Sequence, residues 1–241
     1  MVPPSFKSVA ARLEDLISGG HRQNETLILE EIGLLAEGNL ALREYIRLAS
    51  KDIKKRQLFG AQSFLLYTGP SYLMRLNLWF PHSAEYERKA TERYERFLSI
   101  GICHNHNFDF FTVGLFGPGY KSTYYHSSSA LQSKSEGDIV EFDREWDVAV
   151  PAGKTMFVRR FEDFHIQYCP ESLSMTLNII PHAGRDASGR QYVLQEKTWR
   201  IEHVLISDLD ADRPDPDIQE RLRSFARFAG IDLENKQLPQ V

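Results

Sequence analysis

Short apolar segments alternate with turn residues from Ile100 to Pro181, and this pattern restricts the possible folds more than any other feature of the chain. Aromatic and β-branched residues dominate the segments, which include FFTVGLF, GDIVEF, WDVAVPAGK, FHIQYC and LSMTLNII. Strands this short and closely spaced are typical of antiparallel sandwiches and barrels, whereas parallel strands need long crossover connections between them. We therefore predict an all-β core, built as an antiparallel β-barrel, in this part of the chain.

Helical patterns flank the β-rich region on both sides. Apolar residues recur at helical spacing over residues 6–17 and 27–35, glycines follow each run, and Asn24 is a candidate cap for the second helix. Further helices are predicted over about 40–50, 84–97 and 218–229. We divide the chain into an N-terminal helical subdomain over 1–59, a β-barrel over 60–207, and a linker with a C-terminal helix over 208–241.

Composition limits the partners and the compartment that we expect. The formal net charge of −4 gives no basic surface for nucleic acid, and no stretch approaches the roughly 18 apolar residues of a membrane span. The two cysteines, Cys103 and Cys169, lie outside any CxxC motif, so neither a disulfide scaffold nor a cysteine-based zinc site is expected. We expect a cytoplasmic protein that binds neither nucleic acid nor membranes.

Three histidines form the most informative pattern. His104 and His106 are two residues apart, so in a strand they share one face, which Phe108 and Phe110 continue. Taken alone, such a pair also fits two surface imidazoles, but His165 stands in a comparable strand, FHIQY, after enough short strands to close a barrel. Imidazole donors on an apolar inner face suit one divalent transition metal, with Fe(II) favoured and Zn, Mn or Ni as alternatives. The other histidines lie beside turns or polar stretches.

The sequence resembles the cupin superfamily over residues 60–182. Cupins carry an HxH pair on one strand, a glycine-bounded turn and a third ligand histidine on a later strand, and Pro151-Ala-Gly153 resembles their PxG turn. The matching positions, in chain order, are Gly101, His104, His106, Gly117 and His165. The resemblance implies a cupin-type antiparallel β-barrel, or double-stranded β-helix, with a metal held by the three histidines. The N-terminal helices lie outside it.

Two departures from the usual cupin pattern concern the ligand set. Phe110 and Phe111 stand where the cupin glutamate is usual, and alternation turns the nearest acid, Asp109, away from the histidines. The late third histidine resembles the three-His thiol dioxygenases. That family carries a Ser-His-Tyr set at alternate positions of the next strand, where this chain has Ser174, Thr176 and Asn178. We therefore expect a site of three histidines without a carboxylate, with Asp109 as a fourth ligand kept as the alternative, and we expect cysteine to be a poor substrate.

Arginine and glutamine side chains are the candidates for substrate binding. Three neutral ligands leave a bound metal with its full positive charge and about three open positions, which favours an anionic, chelating substrate. The candidates for bidentate pairing with a substrate carboxylate are Arg75, Arg159 and Arg160, which lie on or near predicted strands. A simpler interpretation is that these arginines are ordinary surface charges. Gln167 shares the face of His165, whereas Tyr168 should point the opposite way.

These features favour a mononuclear non-haem iron oxygenase that acts on a small polar or anionic molecule. Two alternatives remain open: a non-catalytic cupin that binds a small ligand as a sensor or interaction module, and a zinc- or manganese-dependent isomerase or hydrolase. One site geometry serves several metals and reactions, so the pattern does not separate them. The N-terminal helices either cover the barrel mouth or form a homodimer contact.

Overall fold

A computed structural model describes residues 5–37, 39–41, 44, 63–81, 100–129, 131, 133–183 and 190–206 of the chain. Helices α1 (Phe6–Ser18) and α2 (Glu25–Glu37) come first. The strands follow in the order β1 (Ser63–Thr68), β2 (Tyr72–Trp79), β3 (Cys103–His104), β4 (Phe110–Phe116), β5 (Lys121–His126), β6 (Arg144–Ala149), β7 (Thr155–Val158), β8 (Asp163–Tyr168), β9 (Ser174–Pro181), β10 (Arg190–Gln195) and β11 (Arg200–Ile206).

The two described helices form where their apolar periodicity predicts them. Ser5 caps α1 through a reciprocal pair of hydrogen bonds with Ser8, which satisfies backbone donors of the first turn. Asn24 precedes α2 as expected, but its side-chain amide donates to the carbonyl of Leu16 at 2.8 Å instead of capping its own helix. Asn24 therefore ties the start of the second helix to the end of the first.

Two antiparallel sheets make up the β-structure. The first has the strand order β1-β2-β9-β4-β7, and the second has the order β11-β10-β3-β8-β5-β6. Buried residues from the first sheet and from β5 pack into one cluster, so the sheets face each other; this cluster holds Leu73, Phe108, Phe110, Tyr124, Val158 and Ile180. The histidines of the predicted site contact members of this cluster and lie in the same interior.

The first sheet buries its outer face as well. The first sheet packs that face against α1 and α2, with Val9, Leu13, Ile28 and Ile32 in one cluster with alternate residues of β2, β4 and β9. This burial explains why β9 is buried at every position instead of alternating with solvent. The sequence left open a barrel-mouth cover or a dimer contact for the N-terminal helices, and the described pair covers the outer face of the first sheet.

The predicted all-β core of antiparallel strands, preceded by helices, is confirmed. The structure differs from the predicted β-barrel because, over the part of the chain that it describes, its two sheets are not joined into a closed barrel. Among the described residues no ladder joins the two sheets, because the chain passes between them through segments such as 105–109 that lie outside regular strands. The turns at Gly117 and Gly153 have φ of 78° and 84°, a region that glycine adopts readily.

Some predictions fall on residues that the structure does not describe. They are the charged helix over 84–97, the linker and helix from 208 onward, and most of the helix over 40–50. No helix in the described ranges is long and apolar enough to cross a membrane.

Candidate metal centre

Adjacent strands of the second sheet bring the three histidines together. His104 on β3 and His165 on β8 are direct partners in the antiparallel ladder, so their side chains lie side by side on the inner face. His106 follows two residues later, just beyond the end of β3. Asn105 between them keeps the chain in register, because its backbone N–H donates to the Tyr192 carbonyl and its side chain accepts from the Tyr192 N–H at 2.8 Å.

The distances between the ring nitrogens match those of ligands that share one ion. His165 Nε2 lies 3.0 Å from His104 Nε2 and 3.2 Å from His106 Nε2. One donor nitrogen from each ring lies within 4.8 Å of the others. Nitrogens that bind one ion at about 2.0–2.1 Å on neighbouring coordination positions are roughly 2.9–3.4 Å apart. The residues therefore fit a mononuclear site.

The three imidazoles are held in the neutral form that binds metals. Burial lowers the pKa of His104 to about 4 and is the largest cause that lowers those of His106 and His165 well below their usual value. The Nδ1 of His104 lies 2.9 Å from the Ile102 carbonyl, which can only accept. The proton of His104 is thus on Nδ1, and its Nε2 lone pair points at the other two histidines.

Aromatic side chains form the walls around the cluster. Phe108 and Phe110 are both 2% exposed and lie within 5.2 Å of the His106 ring, centroid to centroid. Tyr124 is the β5 partner of His165 in the ladder, with ring centroids 5.0 Å apart, and it stacks on Trp146. These walls shield the buried His104 and His165 from bulk water, while His106 is partly exposed, and the low-water surroundings strengthen electrostatic interactions at the two buried rings.

Two polar side chains, Arg75 and Asn178, lie on the inner face of the first sheet beside the histidines. The guanidinium carbon of Arg75 lies 5.6 Å from the centre of the Phe108 ring, and its charge contributes to the low pKa of His106. Asn178 is the β9 neighbour of Arg75 and is 6% exposed; within the described ranges its Oδ1 has no hydrogen-bond partner. A buried polar atom of this kind is typical of a place where a ligand or water binds.

Gln167 and two tyrosines are further polar side chains in the interior beside the histidines. Gln167 is 8% exposed and lies two residues after His165 on the same face, as predicted, whereas Tyr168 is exposed on the other side. Burial raises the pKa of Tyr120 to about 12 and that of Tyr124 well above its usual value, so both phenols stay protonated at neutral pH. Gln167 is a hydrogen-bond partner of Tyr120.

The other two predicted substrate arginines lie in the turn between β7 and β8. Arg159 pairs with Glu25 of α2 at 2.8 Å and lies over the Phe157 ring. The backbone N–H of Arg160 donates to Asp109 at 2.8 Å. Of the three predicted arginines, Arg75 is therefore the one whose charge acts on a histidine of the cluster.

Sequence reasoning missed the partners of Asp109. Its carboxylate accepts hydrogen bonds from His21 and Arg22, in the turn between the two helices, and not from the histidine cluster. Burial opposes ionisation, but the hydrogen bonds from His21, Arg22 and the Arg160 backbone outweigh it and lower the Asp109 pKa to about 2. No local pattern could reveal these contacts, because the partners are 87 and 88 residues apart in the sequence.

The strand after the third histidine also has structural partners. Ser174 accepts from the Gly119 N–H and donates to the Ser172 carbonyl, and Thr176 accepts from the Trp79 indole N–H at 3.0 Å. Of the alternate positions that differ from the thiol dioxygenase pattern, Asn178 is the one beside Arg75.

Comparison with known proteins gives structural likenesses only. No family model matches the sequence, and no curated protein matches it significantly. The solved structures to which it is similar include cupin and double-stranded β-helix proteins. A cupin-2 domain containing protein from Shewanella frigidimarina is 10% identical over 58% of this chain and 98% of that chain, with a TM-score of 0.30.

Two further likenesses are to enzymes. Hydroxypropylphosphonic acid epoxidase from S. wedmorenis is 10% identical over 52% of this chain and 55% of its own, with a TM-score of 0.31. A structure of DMSP lyases is 12% identical over 51% of this chain and 47% of that chain, with a TM-score of 0.30. The match thus spans about half the length of either enzyme chain. Values this low say nothing about the reaction, which has to be inferred from the side chains of this chain.

Proposed function

We propose that the chain is a mononuclear non-haem iron oxygenase in which His104, His106 and His165 hold Fe(II) and a small anionic molecule is the substrate. The convergence of three neutral Nε2 atoms in a buried, aromatic-walled interior carries the proposal. Iron(II) held there would supply open coordination positions and the redox chemistry that an oxygenase needs. Both cysteines are free thiols, which supports the expectation of a cytoplasmic protein.

Arg75 and its neighbours would bind and orient the substrate. A guanidinium beside the cluster favours a carboxylate or another anion, and the amide of Asn178 is the adjacent polar group on the same face. The phenols of Tyr120 and Tyr124 remain protonated, so they act as hydrogen-bond donors and not as bases at neutral pH. Phe108 and Phe110 exclude water from the reacting group.

Oxygen consumption by the iron-loaded protein tests this function. We expect uptake that depends on one compound in a panel of amino acids, thiols and small keto or hydroxy acids, with cysteine a poor substrate. No uptake with any of them, together with tight binding of one, would favour the non-catalytic sensor. Turnover without oxygen on zinc- or manganese-loaded protein would favour an isomerase or hydrolase.

Replacement of Arg75 tests how the substrate is held. Loss of a charged hydrogen-bonding partner costs roughly 1.5–3 kcal/mol, so Arg75→Gln should raise KM by about 10- to 150-fold. Arg159→Gln is the matched control, because Arg159 is engaged with Glu25 of α2. Equal changes in KM for the two variants would contradict the proposed role of Arg75 in substrate binding.

A further inference from the structure

Asp109 joins the metal-site segment to two other parts of the fold. Its side chain is 1% exposed, and each carboxylate oxygen has two donors. One oxygen accepts from His21 Nε2 at 2.7 Å and Arg22 Nε at 3.0 Å, and the other accepts from Arg22 Nη2 and the Arg160 N–H, both at 2.8 Å. One buried carboxylate thus connects the α1–α2 turn with the β7–β8 turn.

The β7–β8 turn also contacts the backbone of a histidine ligand. The N–H of Phe161 donates to the carbonyl of His106 at 3.0 Å. Phe161 has φ of 61°, an uncommon value outside glycine that persists where surrounding contacts hold it. Asp163 braces the same turn by accepting from the Arg159 N–H at 2.7 Å, and β8 then leads to His165 two residues later.

His106 depends on these contacts because of its position in the chain. Residues 105–109 cross from β3 to β4, so His106 is not held by the central part of a long strand ladder. The Asn105–Tyr192 bonds fix the segment just before His106, and Asp109 fixes it three residues after. The Asp109 bonds and the Phe161–His106 bond therefore hold His106 against the turn from which the strand of His165 starts.

We propose that Asp109 is a positioning residue for the metal site, through which the N-terminal helical hairpin holds His106 in register with His104 and His165. The inference rests on the proposed metal binding and deepens it. It gives the helices a role in the site although they lie on the outer face of the first sheet. Asp109 itself touches neither a substrate nor the donor nitrogens; it acts through the segment that carries His106.

Cobalt(II) binding to the full chain tests the inference. Asp109→Asn keeps the side-chain shape, but the NH₂ group that replaces one carboxylate oxygen cannot accept the two hydrogen bonds which that oxygen receives. We expect the Kd for Co(II) to rise by about tenfold or more, the size seen when groups that orient metal ligands are lost, and the visible spectrum of bound cobalt to change. A role in folding alone would lower the unfolding temperature and leave both measurements unchanged.

Arg159→Gln is the matched control, since it removes one ion pair between the same turn and α2 without touching the His106 segment. It should keep the wild-type Kd and spectrum. If Asp109→Asn does not fold, Arg22→Gln replaces it, because this change removes the arginine bonds and leaves the carboxylate with His21 and Arg160. A wild-type Kd and spectrum in a folded Asp109→Asn or Arg22→Gln protein would overturn the positioning role. Failure of the wild type to bind cobalt would instead overturn the metal site itself and this role with it.

Discussion

At the scale of single residues, Asp109 makes stability depend on pH. Its pKa of about 2 in the folded protein lies below the ordinary value, so folding favours the carboxylate. The stabilisation it supplies is complete above about pH 4 and is lost as the pH falls towards about 2. We expect the difference in unfolding free energy between wild type and Asp109→Asn to shrink by roughly 1 kcal/mol from about pH 5 to about pH 3. Urea titrations at both pH values measure it, and a difference that does not vary with pH would contradict this account.

The three histidines could be predicted from the sequence because alternation within a strand is a local property. The spacing of His104 and His106 indicated their shared face, and the strand pattern around His165 indicated its direction. Alternation also correctly predicted that Asp109 points away from the three histidines. It could not identify His21 and Arg22 as the partners of Asp109, because only tertiary packing brings these residues near it. Arg75 and Arg159 had equal standing in the sequence, and only the fold separates their surroundings.

At the scale of elements, α1 is held to the first sheet by its apolar face. Leu13 is fully buried in the cluster shared by the helices and the sheet, whereas Leu27 on α2 is 49% exposed. Leu13→Ala should lower the unfolding free energy by about 2–4 kcal/mol because it leaves a cavity, and Leu27→Ala should cost less than about 1 kcal/mol. Chemical denaturation of both variants measures the two values. Similar small costs would show that α1 does not pack on the sheet.

The periodicity of the sequence predicted whether a segment is a helix or a strand more readily than it predicted where that element lies in the fold. The helices α1 and α2 form where their apolar patterns predict them. The strand expected around His104 is shorter in the structure, because the chain leaves β3 to reach the other sheet. Such a crossover depends on contacts with the opposite sheet and leaves no periodic trace in the sequence.

At the scale of the whole molecule, two faces of the first sheet serve different purposes. Its outer face packs against the helices, while its inner face presents Arg75 and Asn178 beside the histidines of the second sheet. The sequence predicted an antiparallel cupin-type fold but not which surface the helices cover. The sequence of β9 gives no sign of a third layer on that sheet, because Ser174, Thr176 and Asn178 alternate with apolar residues although every position is buried.

Metal content of the protein purified without added metal tests the three-histidine site most directly. Wild type should carry about one equivalent of a transition metal, and His165→Ala should lose most of it because one of three ligands is gone. The exposed His203 on β11 provides the matched control, and His203→Ala should keep the wild-type content. Elemental analysis of the three proteins gives the answer. Full metal content in folded His165→Ala would contradict the site.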